Sequence, residues 1–190
     1  MVTARVDEIV SHPDDALTAY AYLHTSETTM RDLAEVLFRQ HWRQIVVGPC
    51  IEGAVFEVCF ERQPELRYAD GYLTVDLGRW HFHLCLGPHR GSASEELRRM
   101  RPVAKAAVFE RRGRGCAGGR SWGVRLWNGY GEQMATVFLP NPRLSDDQQP
   151  LASPDWSRLA LYYELRARFL GEAMPADFEI AAAQPLAEPA

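Results

Sequence analysis

Two runs of strict alternation, Tyr72-Leu73-Thr74-Val75-Asp76-Leu77 and Trp80-His81-Phe82-His83-Leu84-Cys85-Leu86, are separated only by Gly78-Arg79. A period of two sends successive side chains to opposite faces of an extended strand, and a two-residue loop containing glycine turns the chain back on itself. The pair therefore reads as an antiparallel hairpin in which Leu77 faces Trp80, Asp76 faces His81, Thr74 faces His83 and Tyr72 faces Cys85. One face of its second strand, Trp80, Phe82, Leu84 and Leu86, is apolar and belongs to a core. The other carries His81, His83 and Cys85, three residue types that transition metals favour.

Around this hairpin the pattern alternates between helix and strand. The first 25 residues, with Pro13-Asp14-Asp15, show no clean period and read as an irregular lead-in. Met30, Leu33, Ala34, Leu37, Phe38 and Trp42 fall at helical spacing behind Ser26 or Thr28 as a cap, which predicts an amphipathic helix over residues 27–41. Residues 53–60 alternate as a strand, with Glu57 and Cys59 on one side. Ser92-Ala93-Ser94-Glu95 resembles a capping box ahead of a helical stripe running through Leu97, Met100, Ala104, Ala107 and Val108 toward Arg112, kinked or restarted at Pro102 near Arg101. A second hairpin follows, Trp122 to Leu126 and Met134 to Leu139 around Asn128-Gly129, and then a helix that starts at Ser153-Pro154-Asp155 and ends at Gly171.

This order implies an α+β fold, with a mostly antiparallel sheet and helices packed on one face. Residues 1–171 read as a single domain and residues 172–190 as a loose C-terminal tail.

Composition removes several function classes. A net charge of -4 lacks the basic face of a dedicated nucleic-acid binder, although residues 98–120 carry eight basic side chains against the single acid Glu110. No apolar run approaches the length of a membrane span, and the first residues carry acids where a secretory signal needs an apolar core, so the expected setting is the cytoplasm, with no membrane partner. Four scattered cysteines, with no Cys-x-x-Cys pair, point to reduced thiols; Cys116, beside Arg114 and Arg120, is a weak nucleophile candidate. The oligomeric state is not legible.

The chemistry centres on the histidine strand. Alternate strand residues stand about 6 to 7 Å apart, so His81 and His83 can share an ion, while Cys85 is too far along the row to join both. A complete shell therefore needs a further ligand from His89, Glu57 or Asp76, with Asp76 also placed to orient the His81 ring. Two imidazoles and a carboxylate suit non-haem iron or a zinc-bound water, whereas histidine with Cys85 favours copper or zinc; either set supports a metal-dependent oxidoreductase or hydrolase. A different reading is a non-enzymatic module that holds a small planar or anionic ligand, such as haem or another tetrapyrrole, with a histidine as axial ligand. Arg125, which shares a strand face with Ser121 and Gly123, together with Trp122 and Glu132, forms the candidate ligand-binding set.

His81-Phe82-His83-Leu84-Cys85-Leu86 resembles the signature of histidine-triad nucleotide hydrolases and transferases, with Cys85 at the third histidine. That resemblance implies His83 as the nucleophile that attacks phosphorus. WHFHLCLG and SWGVRLWNGYGEQMATVFLPNP together resemble bacterial sequences of an uncharacterised family over about Gly48 to Gly171. This second resemblance implies that both segments build one site, and it carries no known activity.

Overall fold

The computed structural model describes residues 4–51, 53–92, 94–114 and 116–186 of the chain. It opens with two antiparallel strands, β1 (Glu8–Ser11) and β2 (Leu17–Tyr22), in the register Glu8 to Tyr20 through Ser11 to Leu17. The expected irregular lead-in is thus a hairpin. Its signal was hidden because Thr18 to Ala21 are buried on both faces, which erases the polar–apolar alternation of a half-exposed strand.

The first predicted helix is present. α1 (Glu27–Ala34) begins where the Ser26 hydroxyl accepts the Thr29 N–H at 3.1 Å, and it continues as a wider π-helical turn to Gln40. Met30, Leu33, Leu37 and Phe38 form its buried face. Short strands follow: β3 (Val46–Gly48), β4 (Cys50–Ile51), β5 (Ala54–Val55) and β6 (Val58–Cys59). The single strand expected over residues 53–60 is broken at Phe56-Glu57, so β5 pairs with β4 while β6 pairs with β3.

The central prediction holds in detail. β7 (Glu65–Ala69), β8 (Tyr72–Asp76) and β9 (His81–Cys85) form a three-stranded antiparallel sheet, and β8 meets β9 with Asp76 opposite His81, Thr74 opposite His83 and Tyr72 opposite Cys85. Both turns rest on glycine in the left-handed region, Gly71 at φ 81 and Gly78 at φ 89.

The next helix is shorter than the periodicity implied. α2 (Glu95–Met100), capped by Ser94, stops before Pro102, and β10 (Val103–Arg112) follows as a strand. Residues 106–110 are buried without alternation, so their apolar spacing satisfied a helical template equally well. β11 (Arg120–Asn128) and β12 (Gln133–Phe138) are the second predicted hairpin. A turn of 3-10 helix at Trp156–Leu159, capped by Asp155, leads into α3 (Ala160–Leu170), which Gly171 ends at φ 72. The segment expected to be a loose tail carries α4 (Phe178–Ala183), capped by Asp177.

The fold class is α+β with mostly antiparallel sheets. The described residues divide into two units: those within 1–23, 107–124 and 138–190 form the first, and those within 24–106 and 125–137 the second. In the first, β1, β2, β10 and β11 are neighbours in that order, and Leu159 and Leu165 of the helical segment are fully buried. In the second, Phe38 meets Phe60 at 6.2 Å and Phe82 at 5.9 Å, joining α1 to the three-stranded sheet. No helix among the described residues is long and apolar enough to cross a membrane.

Candidate functional site

The histidine strand lies at one edge of the second unit's three-stranded sheet. His81 and His83 are exposed, with ring centroids 4.9 Å apart and edges facing. The Thr74 hydroxyl is 2.9 Å from His83 Nδ1, which fixes that ring and leaves Nε2 pointing elsewhere. Asp76, opposite His81, accepts the Gly78 N–H at 2.7 Å through one oxygen and is paired with Arg67 through the other. The Gly78 hydrogen bond, with Arg67 and His81 nearby, holds its carboxyl below the usual range.

Cys85 parts from the row. It is 3% exposed, its thiol donates to the Gly87 carbonyl at 3.3 Å, and burial pushes its pKa up, away from the thiolate that a metal requires. His89 belongs to another cluster of the same unit. Arg101 donates to its Nδ1 at 3.2 Å, its Nε2 is 3.2 Å from Asp70 Oδ2, and its ring meets Tyr72 at 5.1 Å. Asp70 also accepts the N–H groups of Arg90 and Gly91 at 2.7 and 2.8 Å, so this cluster clamps the loop after β9. Glu57 is exposed between β5 and β6, where its charge acts on the half-buried Cys50. Among the described residues, no group of three or more His, Cys, Asp or Glu side chains could hold a metal ion.

The predicted ligand-binding set also falls in different surroundings. Trp122 is 2% exposed in the core of the first unit, with the Arg120 guanidinium 4.8 Å from its ring centroid. In the second unit, Arg125 donates to Thr136 Oγ1 at 3.2 Å, and the exposed Glu132 accepts from Asn128 Nδ2 at 2.8 Å. The side chain of Cys116 lies outside the described residues.

A cavity of about 470 Å³ opens in the first unit. Its walls come from Ala4 to Val6, Ala19 and Tyr20 of β2, Glu110 and Arg112 of β10, Tyr162, Tyr163 and Arg166 of α3, and parts of residues 172–186 that include α4. Phe178 of α4 stacks on Tyr163 at 5.2 Å, which docks that helix beside the opening.

Four of the charged side chains lining this cavity form two ion pairs, Arg166 with Glu172 and Arg112 with Glu110, while Arg5 pairs with Asp7 and Asp177 caps α4. Arg166 is 3% exposed and binds Glu172 with two N–H groups at 2.9 and 2.7 Å, while a third donates to the Tyr162 hydroxyl at 3.1 Å and the Arg5 carbonyl takes a further bond. Burial works against that guanidinium, yet Tyr162 and Glu172 offset it and its pKa lies above the ordinary value. Glu110 accepts from Arg112 at 2.7 Å and pairs with Arg120, and both arginines also reach the Ala182 carbonyl at the end of α4. Burial raises both tyrosines, Tyr163 to about 12, so both are neutral hydroxyls.

These cavity residues were not singled out in the sequence, where Tyr163 reads as helix stripe and Arg112 as surface charge. Arg166 carried the one available signal: an arginine next to Leu165 and one turn beyond Tyr162, inside a stripe that otherwise faces the core.

A comparison with curated proteins returns no match. Residues 7–171 match a family described as a family of unknown function, DUF7676. The match takes in β1 through α3, both hairpins and the histidine strand, and the chain belongs to that family.

Proposed function

We propose that this chain is a small-molecule-binding protein whose ligand occupies the cavity of the first unit. One observation carries the reading: a mostly apolar, tyrosine-walled cavity of about 470 Å³, within the usual size of small-ligand sites, in which Arg166 is paired with Glu172 and Arg112 with Glu110. Among the described residues, three arginines (Arg5, Arg112, Arg166) and three carboxylates (Glu110, Glu172, Asp177) line it, which leaves no formal surplus for a phosphate or a polyanion. The ligand is accordingly neutral, ring-bearing and mainly apolar, stacked against tyrosine and oriented by phenolic hydroxyls. Among the described residues its walls include no histidine, cysteine, serine or threonine, a lining that favours binding over haem ligation or nucleophilic chemistry.

The test is a fluorescence titration with N-phenyl-1-naphthylamine, a neutral aromatic probe, beside its sulfonated counterpart anilinonaphthalene sulfonate. One saturable site is expected for the neutral probe, with binding of the sulfonate at least about tenfold weaker because its charge has no free partner in the cavity. Ala181→Trp, on α4 at the cavity wall, fills the space and abolishes the signal. Unsaturable binding, or equal binding by the Ala181→Trp protein, would refute the proposal.

A further inference from the structure

We infer that His81 and His83 form a labile two-imidazole site for a divalent transition-metal ion on the free edge of the three-stranded sheet, independent of the cavity. Three observations support it. The two rings are 4.9 Å apart and both are exposed, so one ion can reach a nitrogen of each without moving the backbone. Thr74 lies at Nδ1 of His83, so in the tautomer whose Nδ1–H donates to the Thr74 hydroxyl Nε2 is left to coordinate, with Thr74 acting as outer-shell partners of metal-bound histidines do. The neighbouring carboxylate of Asp76 adds negative potential beside His81 but is held by Gly78 and Arg67 rather than pointed at the ion.

The site therefore differs from a closed structural zinc centre. Two protein nitrogens leave the remaining positions to water or to an external donor, which suits an exchangeable ion and a carboxylate- or imidazole-bearing ligand that joins it. Cys85 takes no part, because its thiol is buried and already bonded to Gly87.

Calorimetric titration of the full chain with Zn²⁺ in a non-coordinating buffer tests this. The expected result is one ion per chain, weakened at least tenfold by either His81→Ala or His83→Ala and unchanged by His24→Ala. Substitution of two exposed side chains leaves the fold intact, which the unchanged far-ultraviolet dichroism of each variant verifies. Absence of binding in the wild type, or zinc binding of equal strength in the doubly substituted protein, would overturn the inference.

Discussion

Removing the carboxylate of Glu172 strands the guanidinium of Arg166. In the native fold that guanidinium is 3% exposed and has Glu172 on two of its nitrogens, and among the described residues the Tyr162 hydroxyl and the Arg5 carbonyl also accept from it. Glu172→Ala leaves a buried cation with neutral acceptors alone, a change that costs about 3 to 5 kcal/mol where a buried pair loses one member. Because the Glu172 side chain is itself 14% exposed, some water can enter, and the lower half of that range is expected. For a chain of this size each kcal/mol lowers Tm by about 2 to 4 °C, so the loss is on the order of 10 °C. Chemical denaturation followed by dichroism measures it directly. The double variant Arg166→Met with Glu172→Leu replaces the pair by apolar groups and should recover most of the stability. A loss under about 1 kcal/mol for Glu172→Ala, the value of an exposed ion pair, would refute the claim that this pair is desolvated.

Three other outcomes follow from particular contacts. Gly48→Ala directs a methyl group into the Phe56 carbonyl, which is backbone and cannot rotate away, so a loss of about 1 to 3 kcal/mol is expected in urea denaturation. Leu73→Ala empties a site with 0% exposure in β8 and should cost about 2 to 5 kcal/mol, read by the same denaturation curves. Above pH 10 stability should fall, because Tyr163 titrates near 12 in the fold and near 10.0 when unfolded; the folded state keeps a proton that the unfolded chain releases, so its contribution is intact below pH 10 and lost as pH rises toward 12. Denaturation at stepped pH checks this, and Tyr163→Phe should flatten the slope.

The hairpin of β8 and β9 was legible to the residue because two independent signals agree: period-two alternation in both strands and a glycine turn of fixed length between them. α1 and α3 were legible for the same reason, their apolar spacing being bounded by Ser26 at one start and by Gly171 at one end. What failed was burial on both faces. β2 and the middle of β10 present apolar residues to two layers, so the period vanished and β10 passed for helix. The site was half legible. The sequence placed His81 and His83 together, but Cys85 sits where the sheet face is covered by Tyr72 and the Gly71–Gly87 crossing, and strand parity alone does not report such cover. The cavity joins residues from β2, β10, α3 and the chain beyond Gly171, and only the long-range topology brings these together.

Binding of a neutral, ring-bearing molecule in the first unit's cavity is read out by mass spectrometry of the intact protein purified without denaturation. A bound small molecule, neutral when released, is expected to accompany the wild type and to be absent from Ala181→Trp. A wild type without any adduct that also fails to take up the neutral aromatic probe, or the same adduct in both proteins, would contradict it.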